Sequence, residues 1–439
     1  MFKKSILTAL LVSFSLCILA LASCGGKGNA WKYDETYHWH EADGEITEKA
    51  EHVPSEWIVT AEATTETSGS KHIVCTVCNA ELQVEEIAKI DENRPGSGTW
   101  EDPYNIRTYE DLHSLRQKDA EGVYFKLLND IDLEGVTLQP YEDFYGNFDG
   151  GNHYIYNFSI VYGVYPEIGL FRKNHGSIAN LKLSALGEGK CYIGVIPDRQ
   201  TVSCGALVGD NFGNVYNCSV ENAEIRVNSS YNTGSDGATT INIGGLIGKV
   251  SGGEVKGCYA VNNIVYGNAK NESGTESSFS ACVYAGGLIG SSDSSVSHCY
   301  AYGNSLEANA YAYYKTSGYT YYYGKTYEQL GGVIGKVNGS TVIALIGYEN
   351  EFKVTYTSGA GSLSSYYGSY SYNFGEAVGY NSGTLQYVYG KTSDSTSVAG
   401  YAGTSYYCEQ IDISNFNKLP IISGEGIWGL DVKTVEVEG

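Results

Sequence analysis

The residues best equipped for chemistry gather near the start of the chain. Cys75-Thr-Val-Cys78 spaces two thiols so that both sulfurs reach one metal ion, and thiolate with imidazole is a donor set that suits zinc. Four of the eight His lie nearby, at His38, His40, His52 and His72. His52 and one of His38 or His40 would join Cys75 and Cys78 as four ligands to a structural zinc within residues 31–92. Two other readings stand beside this one. An oxidising compartment favours a Cys75–Cys78 disulfide, or the His are exposed polar residues that ligate nothing.

Catalysis by a pair of carboxylates has one candidate, Asp130, Asp132, Asp149 and His153. Asp149-Gly-Gly-Asn is also turn chemistry, and Asp130 and Asp132 flank an apolar alternation. No catalytic residue is therefore assigned, and the chain is read as not an enzyme. The sequence has no phosphate-binding Gly loop, Ser-centred elbow, HExxH or regular Asp ladder for calcium. Apart from the zinc, no cofactor is expected.

The chain has 439 residues and a formal charge of -22, which repels nucleic acid phosphates and excludes DNA or RNA as partners. Residues 31–100 carry 15 acids against 5 bases. With 55 Gly and 39 Tyr, the composition favours strands and turns over helices.

Lys3 and Lys4 precede an apolar run from about Ile6 to Leu21, the layout of a secretory signal. Leu21-Ala22-Ser23-Cys24 resembles the bacterial lipobox, which implies lipid attachment at Cys24. Residues 25–30 follow as a flexible leash. The expectation is an exported protein, lipid-anchored to the cell membrane or outer membrane and exposed at the surface.

Residues 31–92 form a Trp/His/CxxC module. The stretch EHVPSEWIVTAEATTETSGSKHIVCTVCNAELQVEEI resembles a short repeat of surface proteins from clostridial-type bacteria. Where those repeats often carry a further Cys, this chain has Thr65. The module reads as a small β spacer whose own core is marginal.

Residues 97–408 are organised by repeats. Segments at 168–183, 204–220, 244–260, 286–303, 331–347 and 375–390 share a pattern, with a degenerate copy at 145–160. Three apolar columns run through them. The first is Phe148, Phe171, Val208, Ile247, Ile289, Ile334, Val378. The second is Ile155, Ile178, Val215, Val255, Val296, Val342, Leu385. The third is Phe158, Leu181, Cys218, Cys258, Cys299, Leu345, Val388. Stacked coils need such columns, because each coil buries its apolar face only against its neighbours.

Between copies, alternating segments lead to and from Gly/Ser/Tyr-rich tips, read as hairpin-like excursions from one corner of each coil; two coils per repeat is the rival reading. Thr108 to Asp111 has capping-box spacing, and Leu112 and Leu115 give a short helix to cover the open end. Residues 409–439, with Trp428, are expected to close the other end.

The Gly-[Gly/Ala]-[Leu/Val]-[Ile/Val]-Gly signature resembles the GLUG repeat family of bacterial surface proteins, over about residues 97–390. That resemblance implies a right-handed parallel β-helix. The expected fold is thus all-β: a right-handed parallel β-solenoid with hairpin-like excursions, preceded by a small β module. Cys218, Cys258 and Cys299 are read as buried small hydrophobes, and Cys191 with Cys204 as the disulfide candidate; Cys282 and Cys408 are unassigned.

Twenty-two of the 39 Tyr lie between residues 300 and 408. Tyr311, Tyr313, Tyr314, Tyr319, Tyr321, Tyr322, Tyr323 and Tyr327 crowd one excursion, and Tyr366, Tyr367, Tyr370 and Tyr372 the next. Tyr offers rigid apolar area with a hydroxyl, suited to a glycan or a host or matrix protein; cross-strand stiffening is the structural alternative. Three functions are compared: a surface binding or adhesion protein, a carbohydrate-active β-helix enzyme (lyase or hydrolase), and a structural surface-layer component. The first is preferred.

Overall fold

Ile247 lies alongside Ile289, and Ile289 alongside Ile334, each pair in parallel register. The line extends through Val208 to Phe171 on one side and to Val378 on the other, with every member fully buried. Successive members are 37 to 45 residues apart in sequence, so one repeat makes one coil. A second line runs Ile178, Val215, Val255, Val296, Val342, Leu385. One continuous buried cluster extends from Ile106 to Val388. The protein is an all-β parallel β-helix.

This computed structural model describes residues 30–61, 67–87, 96–161, 165–196, 199–231, 237–273, 279–315, 321–354, 370–390, 397–399, 404–406 and 409–410. Cys24, Thr65, Tyr319, Tyr366, Tyr367, Cys408 and residues 411–439 of the expected closing segment, Trp428 included, lie outside them. The chain divides into two compact units, Met1–Arg94 and Pro95–Gly439.

The degenerate first copy sits one column away from its expected register. Phe148 pairs with Phe125 and Ile178, in the second line, and the neighbour of Phe171 is Tyr141. Ile155 lies between Ile131 and Leu183, and Phe158 beside Val136. The reason is spacing: Tyr141, Phe148 and Ile155 are each seven residues apart, as are Phe171 and Ile178. A slide of one column therefore keeps every apolar residue facing inward.

Just before the third column, every coil turns through the left-handed region. Asn180, Asn217, Gly257, His298, Ala344 and Tyr387 have φ between 50 and 69. Asn and Gly tolerate this conformation; the other side chains there carry strain. The signature Gly answers a different need. A Cβ on Gly248 would lie 2.2 Å from the backbone N of Cys204, and one on Gly290 2.4 Å from that of Ile243. Neighbouring coils touch backbone to backbone at these points.

The excursions run out and back, but the two strands of each pair with their counterparts in adjacent coils. Ala223–Tyr231, Ile264–Ser273 and Ser305–Lys315 form one parallel layer. Gly237–Gly244, Phe279–Gly286 and Lys325–Gly331 form another. Small residues set the gap between them: a Cβ on Gly267 would sit 2.7 Å from Val283 Cγ1, and Ala269, Ala308 and Ala312 are buried in the same layer. Antiparallel pairing enters at one tip, where Lys315 faces Tyr321.

The helix Tyr109–Lys118 has the expected capping box between Thr108 and Asp111. Leu112 and Leu115 join the solenoid core, and the Tyr141 hydroxyl donates to the Leu112 carbonyl. Cys191 and Cys204 are free thiols in different ladders, one beside Ala223 and the other beside Ile243, so they do not form the expected pair. Cys218, Cys258 and Cys299 are fully buried beside the aliphatic members of their column. Each donates its S–H to a carbonyl two residues back, at 3.2 to 3.5 Å.

The N-terminal unit holds two three-stranded antiparallel sheets. One contains Lys32–Tyr33, Tyr37–Ala42 and Glu45–Glu51; the other Ile58–Ala61, Gly69–Val74 and Glu81–Ile87.

Candidate functional site

Strand alternation divides Tyr37–Ala42 into two faces. Tyr37 and Trp39 share one, with the Lys49 ammonium over both rings at 4.7 and 5.6 Å. His38 and His40 share the other, against Trp31. His52 follows the next strand. In the second sheet, the chain leaves Gly69–Val74 through a tight turn: Asn79 donates to the Cys75 carbonyl and Cys75 to the Ala80 carbonyl, with Asn79 at φ 59. This turn brings both thiols to one side.

The two sheets meet at these residues. Cys75 Sγ lies 3.7 Å from His38 Nδ1, and Cys78 Sγ 3.5 Å from His52 Nδ1. All four ligand atoms lie within 4.8 Å of one another. Between His38 and His40, the structure selects His38, which is 2% exposed; His40 stacks on Trp31 and pairs with Glu48 at 3.6 Å.

His52 Nε2 is 2.9 Å from the Asp34 carbonyl. Donation there leaves the Nδ1 lone pair directed at the cluster. The same contact raises the His52 pKa, helped by Cys75. Burial opposes ionisation of Cys75, but contacts with the Cys78 main chain, His52 and the Val77 N–H outweigh it and bring the thiol down to about 5. Burial and the neighbouring Cys75 push Cys78 up. Asp34 was not among the residues singled out from sequence. Its signal is the Asx turn, in which its carboxylate accepts from Thr36 N at 2.9 Å and Tyr37 N at 2.7 Å and so aims its carbonyl.

The carboxylates considered for catalysis are engaged in turns. Asp149 accepts from Gly151 N and Asn180 Nδ2, Asp132 from Glu134 N and Asn157 Nδ2, and Asp130 from Tyr154 N with His153 Nδ1 at 3.1 Å.

Tyr311 and Tyr313 are half-buried on the outer side of Ser305–Lys315, alternating with the inward Ala312. Lys270 lies 5.3 Å from the Tyr313 ring centroid. At the tip, Tyr313 faces Tyr323, Tyr314 faces Tyr322 and Lys315 faces Tyr321 in antiparallel register. Tyr327 is half-buried beside Cys282, and Tyr370 pairs with Thr326 through the backbone.

Fold and cluster together define a parallel β-solenoid protein with a separate two-sheet module carrying converging His and Cys donors. No protein-family model matches the chain. A protein of Evansella cellulosilytica named "Putative Gly-rich membrane protein" is 36% identical over 138 residues, covering 29% of this chain and 15% of that protein's length. A solved structure described as "a putative immunoglobulin A1 protease from Bacteroides ovatus" aligns with a TM-score of 0.45 at 20% identity, over 74% of this chain and 88% of the other.

Proposed function

We propose that this chain is an exported lipoprotein, anchored through Cys24, whose solenoid displays a binding or adhesion surface for a glycan or a host or matrix protein. The observation that carries this reading is the tip hairpin: five of its six paired residues are Tyr. Tyr311 and Tyr313 are half-buried on the outer side of the strand that leads to it. Rigid aromatic side chains with hydroxyls make contact area at small entropic cost. The repeats are read as GLUG-type, and the membrane name of the Evansella relative agrees with anchoring. Engagement of Asp130, Asp132 and Asp149 in turn hydrogen bonds supports binding without turnover.

The test is a glycan and matrix-protein array probed with the chain and with a variant lacking residues 316–320 and carrying Tyr311→Ser, Tyr313→Ser, Tyr321→Ser and Tyr323→Ser. Binding by the parent and its loss in the correctly folded variant are expected. Retained binding by the variant would remove the Tyr surface from the proposal. Cleavage of a polysaccharide, lost in Asp149→Ala, would favour an enzyme, and self-association without any ligand a surface-layer role. Anchoring is checked separately by metabolic labelling with an alkynyl fatty acid, which Cys24→Ala should abolish.

A further inference from the structure

The N-terminal unit presents a physical problem. Among its described residues only His38, Gly69, Cys75 and Ala80 are buried. Its larger apolar side chains face solvent: Ile46, Val53, Ile58, Val59 and Val84 are between 43% and 56% exposed. Two three-stranded sheets of this size cannot be held together by an interior consisting of one alanine methyl and a thiol. Two of the four buried residues are instead metal-ligand types, and they sit where the sheets meet.

We propose that His38, His52, Cys75 and Cys78 bind one zinc ion, and that this ion takes the place of a hydrophobic core in joining the two sheets. The distances fit the ion. Zinc–sulfur bonds of about 2.3 Å and zinc–nitrogen bonds of about 2.0–2.1 Å place neighbouring S and N ligands of a tetrahedron about 3.5 Å apart. The two S–N separations here are 3.5 and 3.7 Å. The outer contacts fit as well. His52 is oriented by the Asp34 carbonyl at 2.9 Å, and the Val77 N–H lies 3.5 Å from Cys75 Sγ, where it would stabilise a thiolate.

Each ligand pair bridges the sheets, because His38 and His52 belong to the first and Cys75 and Cys78 to the second. A Cys75–Cys78 disulfide would close only a local turn, leaving the buried His38 Nδ1 facing an oxidised sulfur and no side-chain link between the His and Cys segments. Main-chain bonds between the segments, Ser55 N to Val74 O and Thr76 N to Val53 O, run close to the cluster. The donor set, two thiolates and two neutral imidazoles, matches a closed structural site with no ligand position left for substrate.

The experiment uses the mature full chain, purified without added metal under mild reductant and then assayed for zinc by mass spectrometry. One zinc per chain is expected, with both thiols of the turn resistant to alkylation until a chelator is added. Replacement by cobalt(II) should give the visible bands of a tetrahedral thiolate–imidazole site. Cys75→Ser and His52→Ala should lose the ion, whereas His40→Ala, outside the cluster, should keep it. His38→Cys should also keep it and shift the cobalt bands, which separates loss of a ligand from loss of fold. Removing the metal should expose residues 31–92 to protease and leave the solenoid intact. Absence of zinc together with a Cys75–Cys78 disulfide in protein from the native compartment would overturn the proposal, as would full zinc occupancy in Cys75→Ser.

Discussion

Asn304 donates its side-chain amide to Oδ1 of Asn350 at 2.9 Å, and its own Oδ1 accepts from both the backbone N and the side-chain amide of Asn263. Asn263 in turn accepts from Ala223 N, and Asn350 N donates to Glu376 Oε1. All four polar side chains are buried. The ladder satisfies main-chain N–H groups at a corner where the strands change direction, coil after coil. Asn304→Leu would leave the Asn263 N–H without its acceptor and take the side-chain amide away from the Ala260 carbonyl in a dry interior, while Asn350 Oδ1 keeps its bond from the residue-304 N–H. The expected loss is about 3 kcal/mol, at about 1–3 kcal/mol per unsatisfied group, read from urea unfolding of the solenoid.

A second prediction concerns the repeat signature. Gly290→Ala would push a methyl against the backbone of the preceding coil, where no side chain can move aside. A loss of more than about 2 kcal/mol is expected. Ala301→Gly, at a buried site on a neighbouring face, should cost about 1 kcal/mol. Equal losses from the two would mean the close approach is not what selects Gly.

The left-handed corner gives a prediction of opposite sign. Ala344 has φ 58 at the position occupied by Gly257 in an earlier coil. Ala344→Gly should stabilise by about 1 kcal/mol, because an L side chain strains this conformation. Gly257→Ala should destabilise, since its Cβ would also meet Asn217 Oδ1 at 2.3 Å. Thermal melts of the two variants check both directions.

Asp210 yields a pH dependence. Burial raises its pKa, while the Ser251 hydroxyl at 2.6 Å and the Lys249 ammonium pull it down; the net shift is upward. A carboxyl raised in the folded state binds its proton more tightly there than in the unfolded chain. Its contribution is therefore most favourable in acid, below the unfolded pKa, and declines as pH rises through the folded value. Asp210→Asn should melt with the parent at about pH 3 and above it at about pH 7. A higher parent melting point at neutral pH would show that the attraction of the nearby Lys249 charge outweighs burial.

Much of this architecture is legible from spacing. Ile247, Ile289 and Ile334 align in sequence because each lies seven or eight residues before the second column of its own coil, the extra residue being taken up in the polar turn between them. The capping box at Thr108 and Asp111 is equally local. Phe148 is the counterexample, since the seven-residue interval recurs within a coil and hides which column it occupies.

Sequence alone therefore determined that matching apolar positions stack in parallel, and it offered Cys75, Cys78 and nearby His as candidate zinc donors beside the disulfide reading. Only the tertiary structure decided that the excursions are parallel layers across coils, and that His38 rather than His40 turns inward. The physical reason is shared. Strand alternation specifies which way a side chain points but carries no record of which strand lies beside it, so a hairpin and a stack of coils read alike. The choice falls to contacts between segments far apart in the chain: Gly267 against Val283, and His38 against Cys75.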